Sequence, residues 1–210
     1  MINPFYWLTA LMLRGGFRLL YRFRIYGAEH LPPGSAILSP NHNSLMDPPL
    51  MMGVTWPEEV HFLAHINLFK PVFRWFLKGF NAHPTRNMQS FRILQGLMAK
   101  GKKIVVFPEG GISRSGEFKP FHTGPARLAL RAHCPIIPVY LAGTFDAWPR
   151  HNYVPRFGQT ITCVFGQPIF VEPYLGLEPQ QARDALTEQI RQSVENLKVW
   201  LESGAQGSPP

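Results

Sequence analysis

The sequence predicts a single α/β domain in which a largely parallel central sheet is flanked by helices. Three observations predict it. Short aliphatic and β-branched runs, such as Ala36-Ile37-Leu38, Val60-His61-Phe62-Leu63-Ala64 and Ile104-Val105-Val106-Phe107, alternate with stretches whose apolar residues recur at three and four. That alternation of strand and helix is the pattern of an α/β domain with parallel pairing. No internal repeat or linker divides the 210 residues, and 45% hydrophobic content suffices for one sizeable core.

Residues 1–22 are expected to form an N-terminal amphipathic membrane-interface helix. Residues 4–13 are uncharged but too short for the roughly 20 apolar residues of a bilayer span. No basic residue precedes them and no small-residue cleavage site follows, so a signal peptide is not expected. Arg14, Arg18 and Arg22 recur every four residues, with Trp7, Leu8, Leu11, Leu19 and Leu20 as apolar cover elsewhere. A helix lying in the lipid interface needs both parts: acyl chains dissolve the apolar side, and arginines meet headgroup phosphates. A helix packed on the protein's own core would show a similar pattern, and both readings stand. Gly15-Gly16 is expected to weaken or kink it.

Residues 23–202 are assigned to the domain proper. A strand is expected at 22–26, a turn at 29–34, and a buried strand at 36–38 that ends in the loop Pro40-Asn41-His42-Asn43-Ser44-Leu45-Met46-Asp47-Pro48-Pro49. A helix follows over 47–52, with Asp47 as its N-cap and Pro48 at the first helical position. Further on, the pattern gives a strand at 60–64, a helix at 68–78, and a short strand or turn at 79–86 closing with Arg86. A helix capped by Asn87 or Ser90 then ends at Gly101. Strands at 103–107, 135–141 and 160–166 and helices at 123–133 and 180–201 complete the set. Residues 203–210 read as a disordered tail by composition.

Charge narrows the partners. The chain carries 21 Lys+Arg against 13 Asp+Glu, a formal charge of +8. Nucleic acid, a membrane surface and a phosphorylated substrate all suit that excess. Aromatics make up 13%, including 16 Phe, more than a nucleic-acid module needs. Cys134 and Cys163 lie in or beside strand-like runs without metal or redox spacing, so they read as reduced core residues, in keeping with a cytoplasmic location.

His42 and Asp47, five apart at the mouth of a strand, are the parts of a general-base pair. Imidazole takes a proton near neutral pH, and a carboxylate can hold its other nitrogen. A loop histidine beside an ordinary helix cap is the competing reading. The turn Phe107-Pro108-Glu109-Gly110-Gly111, followed by Ser113-Arg114, lets backbone amides approach a ligand while an arginine meets an anion. A Gly-Gly turn is also common as nothing more than a turn, and the Lys-Ser/Thr of a Walker loop is missing. His61 and His65 have the gap of a helical metal pair, but a strand-like context and the lack of a third ligand argue against zinc.

Four blocks in order resemble the glycerolipid acyltransferase family: Asn41-His42 with Asp47; Phe80-Asn81-Ala82-His83-Pro84-Thr85-Arg86; Val106-Phe107-Pro108-Glu109-Gly110; and Pro135-Ile136-Ile137-Pro138-Val139. The likeness covers about residues 30 to 145. Gly111-Ile112 stand where the family commonly has Thr-Arg, the second block is one residue shorter before its arginine, and His65 stands where the family often has lysine. The resemblance implies transfer of a fatty acyl group from acyl-CoA or acyl-carrier protein to the sn-2 hydroxyl of 1-acylglycerol-3-phosphate, giving phosphatidic acid. It implies His42 as base, Asp47 as its orienter, and Arg86, Glu109, Gly110 and Arg114 as substrate-binding residues. Arg86 and Arg114 suit phosphate, whereas Glu109 suits a glycerol hydroxyl or an arginine. Beyond the thioester donor no cofactor or metal is expected. The partners implied are lysophospholipid, an acyl thioester, acyl-carrier protein as one form of that donor, and the cytoplasmic face of the membrane, as a peripheral or monotopic protein. Another lysolipid acceptor, or a non-catalytic module binding anionic membrane or nucleic acid, are the alternatives.

Overall fold

The computed structural model describes residues 4–70, 77, 79–85 and 88–210. Its seven strands are β1 (Arg22–Tyr26), β2 (Ile37–Pro40), β3 (Val60–His65), β4 (Ala82–Thr85), β5 (Lys103–Val105), β6 (Ile136–Ala142) and β7 (Thr160–Phe165). They form one sheet in the order β1-β7-β6-β2-β5-β3-β4. Every neighbouring pair is parallel except β6 with β7. Strands β1 and β7 therefore run against the other five.

Consecutive strand residues serve opposite faces, as the pleat requires. Leu38, Val105 and Ile137 join one core with Leu50, Met51 and Val54 of α2 (Asp47–Val54) and Tyr6, Ala10 and Phe17 of α1 (Pro4–Leu20). Their chain neighbours Ile37, Ile104 and Ile136 join a second core with α3 (Met88–Met98), α4 (Gly124–Ala132) and α6 (Pro179–Glu202). Burial on both faces explains why these runs are apolar without alternation. A short helix, α5 (Thr144–Ala147), which the periodicity does not reveal, follows β6. The expected helix at 68–78 falls mostly outside the described residues.

The N-terminal helix differs from expectation in two ways. It runs unbroken through Gly15 and Gly16, which face open space. It also ends at Leu20, so Arg22 belongs to β1 and the arginine stripe shortens to Arg14 and Arg18. Tyr6, Ala10 and Phe17 are buried on one side, while Leu8, Leu11, Met12 and Leu19 are exposed. At about 100° per residue those two sets lie on opposite sides of the helix. Among the described residues no helix is long and apolar enough to cross a membrane.

Residues 203–210, where composition suggests a disordered tail, make contacts with the domain in the structure. Pro209 is buried, the Gln206 carbonyl accepts from Trp200 Nε1 at 2.9 Å, and the Pro210 carbonyl accepts the Gln167 N–H at 3.1 Å. Contacts to α6 and to the end of β7 supply what the tail's own composition lacks.

Candidate active site

The chain leaves β2 towards α2 on one face and leaves its neighbour β5 towards α4 on the other. The crevice outside the carboxyl ends of such a strand pair is where open α/β sheets bind ligands. His42 follows β2 at this point, and Glu109 follows β5.

Asn41 fixes where the first loop departs. Its Nδ2 donates to the Leu141 carbonyl at 3.1 Å, and the Leu141 N–H donates to its Oδ1 at 2.7 Å. The buried side-chain amide thus carries the β2–β6 ladder one step further. Next in the chain, His42 Nδ1 lies 2.8 Å from Asp47 Oδ2. That same oxygen accepts the N–H groups of Asn43 and Ser44, each at 2.7 Å. A carboxylate oxygen only accepts, so Nδ1 carries the proton and Nε2 holds the lone pair. Phe107 stacks on the imidazole with centroids 4.0 Å apart and planes at 23°. Asp47 is wholly buried and His42 is 12% exposed. The ring is therefore clamped at one nitrogen and on one face, and Nε2 makes no hydrogen bond among the described residues.

Asp47 is not the N-cap of α2. Met46 takes that position, and no side chain caps the helix. A cap accepts from the second or third helical N–H, and Pro48 and Pro49 at those positions have none. The carboxylate instead turns back over the loop at 42–44. Ser44 is likewise committed to structure: its Oγ donates to the Trp148 carbonyl at 2.6 Å and accepts the Met46 N–H at 3.1 Å.

Glu109 is 1% exposed, and its two oxygens each accept a backbone amide. Oε1 accepts the His42 N–H at 2.8 Å, and Oε2 accepts the Lys119 N–H at 3.2 Å. Burial raises its carboxyl pKa, against the lowering effect of the two amides. The His42 carbonyl in turn accepts the Ser113 N–H at 2.7 Å. Both backbone polar groups of His42 are thus held by the loop that follows β5.

Gly110 has φ +67°, and a Cβ there would lie 3.0 Å from the His122 ring, so the tight turn requires glycine. Arg114, next to Ser113, is exposed and makes no hydrogen bond or ion pair among the described residues. Arg86 lies outside the described residues. His65 ends β3 with its Nδ1 accepting the Asn67 N–H at 3.3 Å. His61 does not act with it: its Nδ1 faces His83 Nε2 on β4 at 3.2 Å.

What sequence reading missed here is the support around the pair. The Asn43 and Ser44 amides, the Trp148 carbonyl and the Lys119 amide are backbone groups, and no side-chain pattern signals them.

A family model described as Acyltransferase matches residues 22–142. The 1-acyl-sn-glycerol-3-phosphate acyltransferase of Limnanthes douglasii is 29% identical over 142 residues, 63% of this chain and 50% of the relative. The enzyme of that name from Pseudomonas aeruginosa is 25% identical over 159 residues, 72% of this chain and 60% of the relative. The chain spans about half the length of the curated plant relatives it matches. A crystal structure of the 1-acyl-sn-glycerophosphate acyltransferase PlsC from Thermotoga maritima superposes with a TM-score of 0.74 at 24% identity, covering 92% of this chain and 79% of that one. That likeness shows a shared fold.

Proposed function

The chain belongs to the acyltransferase family, and from that premise we propose that it moves a fatty acyl group from acyl-CoA or acyl-carrier protein to the sn-2 hydroxyl of 1-acylglycerol-3-phosphate, giving phosphatidic acid. The observation that carries this reading is the open Nε2 of His42, with Nδ1 held 2.8 Å from Asp47. The hydroxyl gives its proton to Nε2 as its oxygen attacks the thioester carbonyl. The resulting imidazolium, stabilised by Asp47, returns the proton to the departing thiolate as the tetrahedral intermediate collapses. No protein nucleophile is needed, because the thioester is attacked directly.

Asp47 serves as the orienter and Glu109 as a positioning residue that fixes the His42 backbone. Arg114 is suited to the acceptor phosphate because its guanidinium is exposed and unpaired beside the loop that grips His42. Arg86 keeps its phosphate-binding role on the strength of the sequence block alone. The positive φ of Gly110 suits it to close approach of the acceptor. The exposed apolar side of α1 supports docking on the cytoplasmic face of the membrane, where both lipid substrates reside.

The test is thiol release from acyl-CoA and acyl-carrier protein with a panel of lysolipid acceptors. His42→Ala should lower turnover with lysophosphatidate by about 10²- to 10⁴-fold while circular dichroism stays unchanged. Near wild-type turnover would remove His42 from the mechanism.

A further inference from the structure

Residues 149–158 connect α5 to β7 and contain no acidic side chain. Tyr153 is 98% exposed, Val154 69% and Phe157 57%, with Arg150 and Arg156 exposed among them. The loop is closed rather than loose. Trp148 Nε1 donates to the Asn152 carbonyl at 3.0 Å, and the Arg156 N–H donates to the Ala147 carbonyl at 2.7 Å.

Two contacts tie it to its surroundings. The Gly158 N–H donates to the Leu20 carbonyl at 2.9 Å, and Phe157 packs on Tyr21 with ring centroids 5.9 Å apart. The loop therefore lies against the C-terminal end of α1, where Leu19 and Leu20 are exposed. At the other end, the Trp148 carbonyl accepts from Ser44, two residues from His42. The loop thus joins the end of α1 and the rim of the active site.

We propose that residues 149–158 are a second lipid-binding element. Tyr153, Val154 and Phe157 enter the headgroup region of an anionic bilayer beside α1, and Arg150 and Arg156 meet its phosphates. Solitary apolar residues are ordinary on a surface, but three exposed apolar residues with two cations and no acid, beside the exposed Leu19 and Leu20, match a lipid interface. Tyrosine suits that depth because its ring is apolar and its hydroxyl wet. An acidic carrier protein would use the arginines but would leave the apolar tip without a partner. The inference deepens the membrane reading of α1 and rests on it for the orientation of the site.

The test uses the full chain. Cys134 and Cys163 are buried, so Tyr153→Cys supplies the reactive thiol for an environment-sensitive dye. Its emission should shift to the blue on phosphatidylglycerol vesicles and much less on phosphatidylcholine vesicles. A double variant Tyr153→Ser/Val154→Ser, and separately Arg150→Gln/Arg156→Gln, should bind anionic vesicles about tenfold more weakly. Turnover of a water-soluble short-chain acceptor should not change. A dye that stays in water while the protein is vesicle-bound overturns the proposal, as does unchanged vesicle affinity in both double variants. A raised KM for acyl-carrier protein with vesicle affinity intact assigns the loop to the donor instead, and equally overturns it. Absence of acyl transfer by the wild type would sink the enzymatic reading but leave the dye result standing.

Discussion

The protonation state of His42 is set by a single oxygen. Asp47 Oδ2 takes the Nδ1–H and two backbone amides, so one atom orients both the imidazole and the loop that carries it. Asp47→Asn can keep an acceptor oxygen where the three donors converge, but it removes the negative charge. Turnover should fall about 10²- to 10⁴-fold, since the imidazolium formed during attack loses its carboxylate. The thiol-release assay reads the fall, and turnover near wild type would remove Asp47 from the orienting role. Glu109 makes a second, independent prediction. Glutamine has one acceptor oxygen for two amide donors, so Glu109→Gln should free either the His42 or the Lys119 N–H. As a positioning residue it should lower kcat by at least about tenfold with little change in KM. A variant that raises the acceptor KM at constant kcat would return Glu109 to the substrate-binding role expected from sequence. The loop contacts of Glu109 were not legible in the sequence, because a carboxylate beside a Gly-Gly turn looks the same there whether its oxygens face a ligand or the neighbouring loop.

At the scale of elements, α1 has two apolar sides, one buried and one exposed. The inner side is tied to the domain at both ends of its length. The Val60 N–H donates to the Tyr6 hydroxyl at 2.9 Å, and Gly53 of α2 passes so close that a Cβ would lie 3.2 Å from the Arg14 nitrogen. Tyr6→Phe leaves a buried N–H at the start of β3 without its partner. It should cost about 1–3 kcal/mol in a urea titration, with the loss visible at every wavelength because β3 is interior to the sheet. Deleting α1 would uncover this core, so deletion confuses folding with docking. Substituting the outer side is cleaner. Leu8→Ser/Met12→Ser should weaken binding to anionic vesicles at least about tenfold with an unchanged urea midpoint. Equal loss of midpoint and affinity would mean that the outer side is structural. The sequence alone left this helix with two readings, because apolar residues on both sides cannot tell its inner side from its outer side.

For the whole molecule, the acid stability limit has a named contributor. His61 is almost wholly buried against His83, and that burial, with the neighbouring imidazole, pushes its pKa down to about 4. Burial lowers His83 as well. A histidine whose folded pKa lies below its unfolded value of about 6.5 binds its proton more readily in the unfolded chain. Stability should therefore be full above about pH 6.5 and fall as pH drops towards about 4. The loss should be on the order of 2–3 kcal/mol. Urea midpoints at pH 7 and pH 5 should differ less in His61→Phe than in the wild type. An equal pH dependence in the two would exclude the pair as its source. This pairing joins β3 to β4 across 22 residues, and the sequence offered only the nearer His65 as a companion for His61.

What the sequence determined by itself is whatever lies close along the chain. The order of strands and helices followed from periodicity, the doubly covered sheet from unbroken apolar runs, and the His42–Asp47 pair from two residues five apart. What only the tertiary structure decided joins distant segments. Glu109 reaches His42 across 67 residues, Ser44 reaches Trp148 across 104, and the Gly158 amide brings an arginine-bearing loop beside α1. The reason is physical. Periodicity records which side of an element meets the core, whereas a backbone amide is the same in every residue, so its partner is set only when the strands align.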